Sequence, residues 1–122
     1  AAIVPADIGL LQQAELFDEQ KQKTGNAPMV IDSGEFLGNP FGFLQALCAH
    51  AGIAFEQSML NWPAGPRDSD GIWAKHWYAS VWRSTGFEPR SDRPAQLDAR
   101  HQAIADACQP AYEKLFAARL RL

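Results

Sequence analysis

The chain has 122 residues, 47% of them hydrophobic and 20% charged, which suits one globular domain and excludes a disordered, collagen-like or disulfide-stapled chain. A formal net charge of −3 speaks against bulk attraction to nucleic acid. No apolar run nears the roughly 18 residues of a membrane helix, and Pro5 and Asp7 interrupt the N-terminal apolar stretch, so no signal peptide is read there. The expectation is a cytoplasmic protein with neither a nucleic-acid nor a membrane partner. Its two cysteines, Cys48 and Cys108, form no CxxC pair and no ligand cluster, and are read as free buried thiols with no metal site.

Residues 7–24 have helical spacing, with Asp7 as N-cap, Ile8, Leu11, Ala14 and Phe17 recurring on one face, and Gly25 as the stop. Pro28 to Asp32 is a short apolar run with β-branched residues, ending in the turn signature Asp32-Ser33-Gly34, and reads as a buried parallel-type strand. Asn39-Pro40 opens a helix with a cap and a proline at its first position. Phe41, Leu44, Leu47 and Cys48 form its apolar stripe, and Gly52 closes it. One further turn is expected over 55–60. A loop rich in Pro, Gly and Asp follows from Asn61 to Asp70, then a helix from Trp73 to Ser84 ended by Gly86, a polar linker over 87–94, and a last helix from Ala95 to Arg121. Leu97, Ile104, Cys108, Ala111 and Leu115 mark the buried face of that helix, and Pro110 sits inside it.

One strand cannot satisfy its own backbone donors and acceptors, and a parallel strand needs neighbours reached through crossovers. Either residues 28–32 are merely extended or their sheet partners lie outside this chain. The expected fold class is therefore an α-rich remnant of an α/β fold, with four to five helices and one short parallel-type strand.

The segment from Trp62 to Arg83 carries most of the chemistry. It holds all four tryptophans of the chain, at 62, 73, 77 and 82, together with Lys75 and His76. Residues 1–60 carry two basic and seven acidic side chains, net −5, whereas residues 61–93 carry five basic and four acidic, net +1. A mildly basic, Trp-rich loop and helix suits an anionic, aromatic-containing ligand. Backbone amides at Gly71 and the helix start can cradle a phosphate, Arg67 can clamp it, Lys75 adds a point charge, and Trp73 offers a stacking face. The plainer alternative is that the tryptophans are a core patch, since Trp73 and Trp77 are four residues apart on one helical face. His50 and His101 lie on helices without partners at metal spacing and are read as non-functional. No HExxH, Walker A, GxSxG or GxGxxG motif occurs.

Around this segment the sequence resembles the bacterial P-loop sulfotransferase-like family, whose late loop has the form Arg-Lys-Gly-x-x-Gly-Asp-Trp-Lys-Asn-His-Phe. Gly71, Trp73 and His76 match that pattern and Trp77 replaces its last aromatic, while Ile72 and Ala74 depart from Asp and Lys. Arg67 lies four residues before Gly71, near the place of the basic pair. Met29 to Asp32 is similar to the family's strand before the Asn39-Pro40 helix, and Leu47 to Phe55 to its next helix and turn. Over 1–90 the likeness is greatest to a divergent bacterial subgroup named after aminotransferases.

The resemblance implies two parts: residues 1–90 as the C-terminal half of a sulfotransferase-like P-loop domain, and residues 91–122 as a C-terminal helical extension. It implies 3′-phosphoadenosine 5′-phosphosulfate as cofactor and Arg67, Gly71, Trp73, Lys75 and His76 as the residues facing it, with no catalytic residue assignable. The family's phosphosulfate-binding loop, its Arg-and-Ser element for the 3′-phosphate and its catalytic Lys and His candidates precede the part matched here. The resemblance therefore implies a fragment, a transferase portion that supplies the cofactor-covering loop and is inactive alone. Its partners would be the missing N-terminal half of the same protein and a small-molecule acceptor of unknown identity, with a homo-oligomer also open. The alternative function is a small helical binding or interaction domain that uses its Trp-rich patch.

Overall fold

The computed structural model describes residues 2–122. Six α-helices run in chain order: α1 (Leu10–Thr24), α2 (Ser33–Gly38), α3 (Pro40–Ala51), α4 (Ala74–Trp77), α5 (Ala79–Arg83) and α6 (Ala99–Ala117), of which α1, α3 and α6 are long. Single 3₁₀ turns stand at Pro5–Ile8, Gln57–Met59 and Asp68–Asp70. The described residues form a mostly helical small domain with essentially no strand. Two compact units emerge from its contacts, one built from the residues up to Asp32 together with Ser91–Leu122, the other from Ser33–Arg90.

In the first unit α1 packs against α6, and the Pro5–Ile8 turn touches both. The buried side chains are Ala14 and Phe17 from α1 and Ile104, Cys108 and Ala111 from α6, spaced three to four residues apart as one helical face requires. Asp18 and Lys114 form an ion pair between the two helices. Two expectations fail here. Asp7 does not cap α1; its carboxylate accepts from the Val4 amide at 2.9 Å inside the 3₁₀ turn, and the α-helix begins only after Gly9. The last helix starts at Ala99, because the Asp98 side chain accepts from the His101 amide at 2.8 Å and caps it, which leaves Leu97 outside and exposed. Pro110 lies inside α6 as expected.

The expected strand at 28–32 is not formed. Val30 makes one isolated parallel bridge with Arg119, and the Leu120 amide donates to the Val30 carbonyl at 2.8 Å. The Val30 carbonyl thus finds its partner at the C-terminal end of the same unit. Directly after it, Ser33-Gly34 opens helix α2 rather than a turn.

In the second unit α3 follows the sequence closely. The Asn39 side chain accepts from the Gly42 amide at 3.0 Å, Pro40 occupies the first turn, and Gly52 ends the helix. Its buried residues are Phe43 and Cys48, whereas Phe41 and Leu47 are exposed, so the inward stripe is rotated from the expected one. Phe43 continues into an aromatic chain: Phe36 lies 6.3 Å from Phe43 and 4.9 Å from Phe87, and Phe87 meets Trp62 edge-on at 5.2 Å. Both cysteines are free and buried. Among the described residues no helix is long and apolar enough to cross a membrane, and no group of His, Cys, Asp and Glu could hold a metal ion.

Candidate functional site

The segment from Asn61 to Gly86 folds back on itself. Asn61 and Gly86 form an antiparallel bridge, the Trp62 amide donates to the Thr85 carbonyl at 3.0 Å, and the Gly65 amide donates to the Trp82 carbonyl at 2.7 Å. Only glycine suits position 86 comfortably, since a Cβ there would lie 3.1 Å from the Leu60 carbonyl oxygen. Side chains close the same loop: the Trp62 indole donates to Ser84 Oγ at 2.9 Å and the Trp82 indole to Asp70 Oδ2 at 2.8 Å.

Asp70 Oδ2 also accepts from the Arg67 amide at 2.7 Å, which turns the chain at Asp68–Asp70 and delivers Gly71. Gly71 has φ 76° and ψ 175°, a region open essentially to glycine alone. The Arg67 backbone bond, and after it the Trp82 indole bond, hold the Asp70 carboxyl below its ordinary value, with partial burial working against them and the Arg67 charge adding a little. The Arg67 guanidinium donates to the Pro63 carbonyl at 3.1 Å and so lies along the loop.

The expected helix over Trp73–Ser84 is instead two short pieces, α4 and α5, joined at Tyr78. A four-residue helix has too few aligned peptides for a useful macrodipole. The amides of Ala74 and His76 already donate to the Gly71 and Trp73 carbonyls. Those two amides are therefore taken, and the side chains are the first candidates for holding an anion.

Those side chains divide in two. Arg67, Gly71 and Lys75 line one concavity of about 400 Å³, together with Asp68, Asp70 and Trp82. Lys75 makes no ion pair among the described residues. Asp70 Oδ2 is taken by its two internal bonds, and the carboxylates of Asp68 and Asp70 both stand against the two cations. Trp73 and His76 do not line this concavity; their rings lie 6.3 Å apart. The tryptophans divide as well. Trp62 and Trp82 are half-buried and hydrogen-bonded, while Trp73 and Trp77 are 68% and 75% exposed, next to an Ile72 that is 78% exposed. A core patch accounts for the first pair and not the second. Sequence reasoning missed Asp70 and Trp82; the Arg67-x-x-Asp70 spacing was the available signal for the first.

The sequence model of the Sulfotransferase domain family matches residues 1–119. This chain belongs to the sulfotransferase domain family. Among curated proteins it is 34% identical over 109 residues to Branched-chain-amino-acid aminotransferase-like protein 2 of Arabidopsis thaliana, a match covering 89% of this chain and 19% of that protein. It is 36% identical over 109 residues to Branched-chain-amino-acid aminotransferase-like protein 1 of the same plant, covering 89% of this chain and 20% of that protein. The chain thus spans about a fifth of the length of these curated relatives. No solved structure matches it. Membership suggests 3′-phosphoadenosine 5′-phosphosulfate as the sulfuryl donor in general terms, since sulfotransferases as a class draw on it.

Proposed function

We propose that this chain is the portion of a sulfotransferase-type transferase that supplies a loop over the phosphates of 3′-phosphoadenosine 5′-phosphosulfate, working with a phosphate-binding half elsewhere in the same protein. The observation that carries this reading is the placement of Arg67, Gly71 and Lys75 around one concavity, flanked by exposed large apolar side chains. Arg67 and Lys75 would hold an anionic group by charge-assisted hydrogen bonds, and Gly71 lets the backbone approach it without a side chain in the way. Trp73 and His76, on the neighbouring surface, would contact the rest of the cofactor. When bound, the cofactor supplies the sulfuryl group.

The chain is inactive alone in this reading. Sulfuryl transfer needs charge stabilisation on the bridging oxygen and a base for the acceptor, and no glycine-rich phosphate loop lies within these 122 residues. The 122-residue chain, mixed with phosphosulfate donor and a phenol, is expected to show no turnover. In the full-length protein, Arg67→Ala should weaken binding of 3′-phosphoadenosine 5′-phosphate by roughly 1.5–3 kcal/mol, the range for a hydrogen bond to a charged group. Calorimetric titration measures this; unchanged affinity in both Arg67→Ala and Lys75→Ala removes the cofactor reading.

A second reading, a helical binding module, is favoured by a different observation. Ile72, Trp73 and Trp77 expose large apolar surface within six residues, and Asp68 offsets part of the local positive charge. It predicts that Trp73→Ala and Trp77→Ala abolish capture of a protein partner while leaving nucleotide binding untouched.

A further inference from the structure

The unit built from the two ends of the chain contains a second concavity, of about 460 Å³, which shares no lining residue with the Trp-rich loop. Its volume lies in the range of small-molecule sites. Ile8, Leu97, Ile104 and Cys108 supply apolar wall from three stretches of chain. Three polar side chains interrupt that wall, His101, Gln109 and Tyr112. Each is tied to a carboxylate. His101 Nδ1 lies 2.8 Å from Asp98 Oδ1, the Gln109 amide donates to Glu113 Oε1 at 3.0 Å, and the Tyr112 hydroxyl donates to Asp32 Oδ1 at 2.9 Å. An apolar concavity with a few polar groups, each bonded to a further partner, is the general form of a binding site for a small organic molecule.

The charges decide what kind of molecule. No Lys or Arg lines the concavity, and Asp98, Glu113 and Asp32 all stand one hydrogen bond behind its polar lining. An anionic head would find no cationic side chain in the lining, with the carboxylates of Asp98 and Glu113 close behind it. In the neutral imidazole the bond to the Asp98 carboxylate places the proton on Nδ1 and leaves Nε2 as an acceptor. Nε2 makes no hydrogen bond among the described residues.

We propose that this concavity binds a small, mostly apolar molecule whose single polar group donates a hydrogen bond, accepted by His101 Nε2. His101 reads in the sequence as an ordinary helix histidine, because the apolar walls around it come from residues about 90 positions away as well as from its own helix. The site is independent of the reading of the loop.

The test uses the 122-residue chain with two probes of equal length, 1-octanol and octanoate, followed by ¹H–¹⁵N NMR. Octanol is expected to give saturable shifts at Ile8, Ile104, Ala105 and Cys108. Octanoate should bind at least about tenfold more weakly, equivalent to ~1.4 kcal/mol. Ala105→Phe, at a lining position exposed on α6, should fill the space and remove octanol binding with the helical circular-dichroism signal kept. His101→Phe should narrow the preference for octanol over octanoate without losing the apolar contribution. Equal affinity for the two probes, shifts scattered over both units, or octanol binding that survives Ala105→Phe in the folded chain each overturn the proposal. A dimer in sedimentation that octanol does not dissociate, and whose interface NMR maps to this face, overturns it too.

Discussion

Asp70 and Trp82 are joined by a 2.8 Å hydrogen bond from the indole Nε1 to Oδ2, and the same oxygen takes the Arg67 amide at 2.7 Å. One carboxylate oxygen thereby ties α5 to the turn that presents Arg67 and Gly71. This pair, rather than a continuous helix, sets the shape of the candidate site.

The first prediction follows from its ionisation. The folded state holds the Asp70 carboxyl below its ordinary value, and Asp98, whose largest cause is the His101 amide bond, is lowered too. A lowered folded value means a stabilisation that is fully present above the unfolded pKa of about 4 and is lost as pH falls through the folded one. Thermal melts between about pH 2 and 6 should show the melting temperature dropping on the acid side. Asp70→Asn should melt lower than the native chain at neutral pH, with the gap closing on acidification. A gap that stays constant over that range would show that the charge of Asp70 contributes nothing.

The two pairs of tryptophans should behave differently on truncation. Trp73→Ala and Trp77→Ala, at exposed positions, are expected to change stability by no more than about 0.5 kcal/mol. Trp62→Ala loses both its contact with Phe87 and its bond to Ser84, and should cost about 2 kcal/mol or more. Urea unfolding of the three variants makes the comparison.

Gly71 supplies a third prediction. No atom stands within 4 Å of a Cβ placed there, so Gly71→Ala meets no clash and pays only for its backbone angles. The expected loss is about 1–3 kcal/mol. If the variant is as stable as the native chain, the loop has relaxed, and the NMR shifts of Arg67 to Lys75 will have moved with it.

Asn39 tests the local logic of α3. Asn39→Ala removes the acceptor for the Gly42 amide and should cost ~1 kcal/mol, whereas Asn39→Asp should keep most of the stability. Denaturant midpoints at equal slope give the difference directly.

The family was legible before the structure, from Gly71, Trp73 and His76 and their order along the chain, and the matching domain family bears that out. The location of the five candidate residues relative to one another was not. Arg67, Gly71 and Lys75 come together, while Trp73 and His76 stand outside their concavity, because the chain turns at Asp68–Asp70 between Arg67 and Gly71.

What the sequence determined by itself is what short-range chemistry decides. The Asn39-Pro40 start of α3 and its Gly52 end, and the Gly25 end of α1, rest on hydrogen bonds and backbone angles within a few residues. Tertiary structure decided whatever depends on a distant partner. Val30 reads as a strand by composition and becomes a single bridge, because its partner is Arg119, at the other end of the chain. Phe43 rather than Phe41 turns inward because Phe36, in α2, receives it. Trp62 and Trp82 are ordered, and Trp73 and Trp77 left exposed, by Ser84 and Asp70, which stand 22 and 12 residues from the indoles they bind. Helical periodicity places a side chain on a face, but only the packed chain says what that face meets.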